Sequence, residues 1–141
     1  MTSSNFDLFK IFYKNNVKIV TDISGFGLAI HAYNLILRFP KLKGMKIYID
    51  KVPLYKGAEI ALSKNIQSSL ASSNKEYIKK KLKIECNKKK IDLIFDPQTA
   101  GGMIFILDKN NEKILNELND ANIKYTLIGK TINSNGKLEI I

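Results

Sequence analysis

The sequence predicts an α+β fold, a mixed β-sheet flanked by helices. Two observations carry that prediction. Short β-branched or apolar runs of strand length are interleaved with segments whose apolar residues recur at helical spacing. No internal repeat and no linker divides the 141 residues, and 45% of them are hydrophobic, so residues 1–141 read as one domain with a sizeable core.

Taken in order, residues 5–15 (NFDLFKIFYKN) predict a short amphipathic helix with an apolar stripe at Phe6, Phe9 and Tyr13, ended by Asn15-Asn16. Val17–Thr21 is short and β-branched and predicts a strand. Residues 27–38 predict a helix that packs on the sheet: Leu28, Ala32, Leu35, Ile36 and Phe39 share a face, opposite Asn34, Arg38 and Lys41, and Pro40 ends it. Met45–Val52 predicts a second strand, closed by Pro53, and Gly57–Lys64 a short helix. The serine-rich stretch IQSSLASSN, residues 66–74, reads as a loop, and Glu76–Lys83 as a helix. Ile91–Phe95 and Met103–Leu107 predict strands, the second buried on both faces. Asn111–Asn122 places Ile114, Leu115, Leu118 and Ala121 at helical spacing. Tyr125–Ile128 and Lys137–Ile141 predict the last two strands, joined by a hairpin-like turn at Asn133-Ser134-Asn135-Gly136.

Composition excludes several function classes. No apolar run approaches the length of a membrane span, and the first residues lack the basic-then-apolar layout of a signal peptide. The single cysteine, Cys86, cannot form an internal disulfide, and no Cys/His cluster suits zinc, so a cytoplasmic home is expected. The net charge of +10 invites a nucleic-acid reading. Against it, Arg38 is the only arginine, which leaves bidentate contacts to guanine or phosphate nearly unavailable. The lysines are spread along the chain, densest at Lys79-Lys80-Lys81 and Lys88-Lys89-Lys90, and are read as a solvated face.

Two stretches carry chemistry. In VKIVTDISGFGLAIHAYN, residues 17–34, a strand runs into a helix, with Asp22 at the strand's end, then Ser24, Gly25, Phe26 and Gly27. Ligands of α/β sheets gather at such places, where free N–H groups of the helix favour anions. Ser24 is expected to cap the helix, and the glycines to permit positive φ or close approach of a ligand. Asp22 either reaches a phosphate through a cation such as Mg²⁺, since two anions repel unless a cation joins them, or only caps the turn. The second stretch, DPQTAGGMIFIL, is residues 96–107. Pro97 biases Asp96 toward an extended backbone. The turn Thr99–Gly102 offers either consecutive N–H groups as an anion nest or room for two chain segments to cross.

Together these stretches resemble the two signature segments of the C-terminal half of selenophosphate synthetase (selenide, water dikinase), of the aminoimidazole ribonucleotide synthetase-like family. Thr21, Asp22, Gly25, Phe26, Gly27, Leu28 and His31 match its Thr-Asp-Val-Thr-Gly-Phe-Gly-Leu and following histidine. Asp96, Pro97, Gln98, Thr99, Gly101 and Gly102 match its Asp-Pro-Gln-Thr-Ser-Gly-Gly. Pro53, Gly57, Ala58, Asn74 and Gly129 fit lesser elements, so the resemblance covers essentially the whole chain. It implies a partly ferredoxin-like sandwich. It implies a role in transferring phosphate from ATP to selenide, giving selenophosphate, AMP and phosphate with Mg²⁺. It makes Asp22 a Mg²⁺ ligand, Ser24–Gly27 the lining of the nucleotide cleft, and Asp96, Gln98, Thr99, Gly101 and Gly102 a second turn beside it.

The family's reactive cysteine or selenocysteine, its lysine and its other metal-binding aspartates belong to an N-terminal half, for which nothing before Asn5 stands in. Cys86 is not at the catalytic position. No catalytic residue is therefore expected in this chain, which reads as a separated piece, a split-gene subunit or a relic, inactive alone. It would partner an N-terminal half in cis or trans, with ATP, in a dimeric enzyme. Ser24 replaces the family's threonine, Ile30 a glycine, Asn34 a frequent glutamate and Ala100 a serine. These departures keep open a non-enzymatic alternative, a stand-alone domain that binds a nucleotide or a partner protein. His31 is read as a packing or hydrogen-bonding residue with no evident partner.

Overall fold

The computed structural model describes residues 5–86 and 89–141; residues 1–4 and Lys88 of the second lysine run lie outside them. The α+β reading holds. The elements are α1 (Phe6–Lys14), β1 (Val20–Asp22), α2 (Gly27–Arg38), β2 (Gly44–Ile47), α3 (Ala58–Ser63), α4 (Ser69–Ile78), β3 (Leu82–Ile84), β4 (Met103–Phe105), α5 (Glu112–Asp120), β5 (Gly129–Thr131) and β6 (Lys137–Ile140). Strands β3-β6-β2-β5 form a mixed sheet in which β6 runs parallel to β2 and β3 while β5 is antiparallel to β2. β1 and β4 form a separate antiparallel pair.

The period-two alternation of the strands divides the mixed sheet into an apolar and a charged face. Met45, Ile47, Leu138 and Ile140 are buried in the main core with Leu28, Ala32, Leu35 and Ile36 of α2. Lys46 and Glu139 are register partners on the other face and form an ion pair at 3.1 Å. The expected face of α2 is therefore correct but too narrow: Ala29, Ile30 and Tyr33 are buried too. This helix also packs on α4 and on the 3₁₀ segment Lys89–Phe95, not on the sheet alone.

A smaller core holds Phe12, Ile114 and Leu118 between α1 and α5. Here the expected stripe is wrong. Phe6 and Tyr13 are 59% and 80% exposed, and Phe12 faces inward, 4.7 Å from the Phe105 ring. Both faces of α1 are apolar, so spacing could not choose between them. Polar bonds beside the buried face fit this rotation: the Asn15 amide and Lys14 both reach Glu117 of α5, at 3.0 and 3.3 Å. The Asn15 hydrogen bond, more than Lys14, holds the Glu117 carboxyl below its ordinary pKa.

Other expectations are corrected. Residues 66–74 are mostly helix rather than loop. Ser68 caps α4 by accepting the Leu70 N–H, Ser72 and Ser73 bond back to the Ser69 and Leu70 carbonyls, and Ala71, Asn74 and Ile78 line one buried face. The helix expected over 76–83 accordingly ends at Ile78, and β3 occupies 82–84. Ile91–Phe95 is part of a 3₁₀ segment, because its buried residues Ile91, Ile94 and Phe95 fall at helical rather than alternating positions. β2 stops at Ile47 because the chain turns into a 3₁₀ segment, Ile49–Lys51, although the Tyr48 and Ile49 N–H groups still bond the Ile128 and Ile141 carbonyls. Tyr125–Ile128 precedes the strand, which begins at Gly129, and the Ile128 carbonyl accepts the Tyr48 N–H at 2.8 Å. The turn at 133–136 makes no hairpin, since β2 lies between β5 and β6; the Ser134 and Gly136 N–H groups both bond the Lys43 carbonyl as the chain crosses the start of β2. Met103–Leu107 does face two cores, Ile104 and Ile106 the larger, Phe105 and Leu107 the smaller, although the strand itself ends at Phe105.

Candidate functional site

β1 delivers Asp22 to its last position, paired in register with Met103, and the Asp22 side chain is exposed. Residues 23–26 then turn into α2. The second motif is bound directly beneath this turn. The Ile23 N–H donates to the Gly102 carbonyl (2.9 Å), the Gly101 N–H to the Ile23 carbonyl (3.2 Å), and the Gln98 N–H to the Ser24 carbonyl (3.1 Å). The two motifs, more than seventy residues apart in the chain, are thus one interlocked body. The anion-nest alternative loses a donor, since the Gly101 N–H is spent on Ile23. The crossing alternative holds there: a Cβ on Gly101 would lie 2.5 Å from the Ile23 carbonyl oxygen. Asp96 is half-buried, and its carboxylate accepts from the Gln98 side-chain amide at 3.4 Å. Thr99 and Gly102 are exposed at the turn.

The first motif's glycines are not equivalent. Gly27 has φ of 73°, and a Cβ on it would lie 2.8 Å from the Ile94 carbonyl oxygen and 3.0 Å from that of Asp96. Gly25 has open space around it. Ser24 does not cap α2. The residue before the helix is Phe26, whose side chain makes no capping bond. The Ser24 carbonyl instead accepts the Gly27 N–H (2.9 Å), and its backbone N–H and hydroxyl both lie 3.1 Å from His31 Nε2. His31 is therefore a hydrogen-bonding residue, as the sequence reading has it, and the partner that reading lacked is Ser24.

Asn74 is the residue whose place in the site the sequence matched without explaining. It is 7% exposed, and its amide donates to the Gly25 carbonyl (3.1 Å) and the Phe95 carbonyl (3.0 Å), tying the first motif to the segment entering the second. The signal was available: an asparagine between Ala71 and Ile78 on an otherwise apolar helix face needs buried partners. Asn74→Leu should cost about 2–4 kcal/mol, because it keeps the branched shape but strands two carbonyl acceptors. Urea unfolding of the chain measures this; a cost below about 0.5 kcal/mol would mean the two bonds contribute nothing.

Beside the turn lies a shallow groove of ≈ 290 Å³ between α2 and α4, lined by Phe26, Ile30, Asn34, Ser73, Asn74 and Tyr77. Two of the departures from the family pattern, Ile30 and Asn34, are in its wall. Ala100 is exposed on the second turn. Cys86 is a half-buried free thiol just after β3. Among the described residues no three His, Cys, Asp or Glu side chains come together as a metal cage. Among the described residues no helix is long and apolar enough to cross a membrane.

Residues 4–141 match the family model described as AIR synthase related protein, C-terminal domain. The chain belongs to this family. Within the AIR synthase related C-terminal domains, it is similar to proteins named selenide, water dikinase. That of Caldanaerobacter subterraneus subsp. tengcongensis is 36% identical over 107 residues, 73% of this chain and 30% of that protein. That of Campylobacter jejuni subsp. jejuni is 29% identical over 134 residues, 94% of this chain and 38% of the other. That of Treponema denticola is 32% identical over 123 residues, 85% and 34% of the two. The chain thus spans about a third of the length of these relatives.

Proposed function

We propose that this chain is the C-terminal half of a selenide, water dikinase and works beside an N-terminal part, in cis or in trans. The observation that carries the reading is the interlocking of the two matched motifs around Asp22, left exposed at a strand end. The names of the relatives support the same reading. In it the substrates are ATP, selenide and water, and the nucleophile and the remaining acidic ligands come from the N-terminal part.

The donor set fits Mg²⁺ as a shared site. Asp22 offers one hard carboxylate, and Mg²⁺ is held by one or two carboxylates plus phosphate oxygens and water rather than by an all-protein cage. When bound, the ion offsets phosphate charge and serves as a Lewis acid toward the phosphoryl oxygens. The chain's own residues do the positioning. β1 and its register with β4 fix the height of Asp22. Gly27 and Gly101 let the two motifs close on each other. Asn74 fixes the carbonyls behind the turn, so that Ser24–Gly27 present a constant edge to the nucleotide.

The test is phosphorus NMR of ATP and selenide incubated with the chain alone, with the N-terminal part of a relative alone, and with both. Selenophosphate should form only with both. Selenophosphate from the chain alone would refute the division of labour. Failure of the mixture, with nucleotide or protein binding retained, would favour the non-enzymatic alternative.

A further inference from the structure

We infer that His31 is a positioning residue of the Asp22–Gly27 turn, acting as a neutral imidazole with its proton on Nδ1. Nε2 lies 3.1 Å from the Ser24 backbone nitrogen. A backbone N–H can only donate, so Nε2 accepts, and the ring proton is on the other nitrogen. The Ser24 hydroxyl, also 3.1 Å from Nε2, can turn its own proton toward the same lone pair. The ring also lies near Phe26, with centroids 6.1 Å apart. The Ser24 N–H, the Ser24 hydroxyl and the Phe26 ring are uncharged.

The position of His31 makes this bond useful. Residue 31 is one turn into α2, and Ser24 is two residues past Asp22. The bond therefore ties the turn that follows the acid to the rigid helix that follows the turn. Asn74 holds Gly25 from behind, and Gln98 and Gly27 share the Ser24 carbonyl, so His31 completes the pinning of Ser24 through its N–H. An imidazolium has no acceptor. Protonated on both nitrogens, the ring would point an N–H at an N–H, and the turn would have to open or the ring to leave. The turn's shape is therefore tied to the neutral form of one histidine, the only one in the chain. That this shape orients Asp22 toward a nucleotide rests on the dikinase reading; the bond itself does not.

The experiment uses the chain alone, ¹⁵N-labelled, so it and the dikinase reading fail separately. At neutral pH the imidazole nitrogens should report the Nδ1–H tautomer, with Nε2 as the bare nitrogen. His31→Leu should lower hydrogen-exchange protection of the Ser24 amide about fivefold. His31→Gln, whose side-chain oxygen reaches about as far as Nε2, should restore protection. An Nε2–H tautomer in the wild-type chain overturns the inference whatever the variants do. A Ser24 amide whose protection is unchanged in His31→Leu, or a glutamine variant no better than leucine, does so as well.

Discussion

Asp22→Asn should leave this chain folded and remove Mg²⁺-dependent ATP turnover once the chain is paired with a dikinase N-terminal part. The structure separates the two effects. What β1 uses of Asp22 is its backbone, in register with Met103, while the side chain stands in solvent. The substitution keeps size and one oxygen acceptor, so stability should change by no more than about 0.5 kcal/mol. The lost charge is another matter. On the proposed reading Asp22 holds the Mg²⁺, and since removing groups that merely support a metal ligand costs about 10–100-fold, losing that ligand's charge should cost about 100-fold or more. Asp96→Ala is the contrasting variant. Asp96 is half-buried and accepts from Gln98, so its loss should cost about 1 kcal/mol of stability with a smaller direct effect on turnover. Thermal midpoints and Mg²⁺-dependent ATP consumption of the two variants decide. Normal turnover by Asp22→Asn would reduce Asp22 to a turn residue.

The parts of this fold that were legible are those where one period dominates. α2 has apolar residues at helical spacing and a proline stop two residues past its end, and it forms where expected. The misread parts are those where two periods or two faces compete. α1 is apolar on both faces, and its orientation is settled by α5, a hundred residues away. The run Ile91–Phe95 is too short for its composition to separate strand from helix. The serines of α4 looked like loop residues because serine prefers local backbone bonds; here those bonds run back along the helix and are satisfied within it. The order β3-β6-β2-β5 could not be read from a turn that resembles a hairpin, because β2, which separates its two strands, comes much earlier in the chain. In the site, the strand-end acid and the two glycine-bearing turns were visible as residue types in a pattern. Their mutual hydrogen bonds were not, since no periodicity links residue 23 to residues 101 and 102. His31 and Asn74 were seen as matches to a family but not as the groups that hold the turn.

Gly27→Ala should be among the most destabilising single-methyl changes in the chain, and Gly25→Ala, two residues earlier in the same motif, should be nearly silent. At Gly27 two costs add. Its φ of 73° is left-handed, a region that costs a residue with a Cβ about 1–2 kcal/mol. The new methyl would also sit 2.8 Å from the Ile94 carbonyl oxygen and 2.9 Å from the Phe95 carbonyl carbon. These are backbone atoms, in a segment whose Ile94 and Phe95 side chains are each only 1% exposed, so the neighbour cannot move aside without disturbing the main core. The sum should be about 3–5 kcal/mol, a large part of the 5–15 kcal/mol that holds a typical domain, and should lower the melting midpoint by about 10–20 °C. At Gly25 the φ is ordinary and, among the described residues, nothing lies within 4 Å of the new methyl, so the change should stay within about 0.5 kcal/mol. The comparison also bears on the site, since Gly27 is where α2 meets the strand-end turn and where the segment leading to Asp96 comes closest. Thermal and urea unfolding of the two variants, run side by side, measure the difference. Equal costs would mean that the close approach at Gly27 does not constrain the motif, and that both glycines are there for something other than packing.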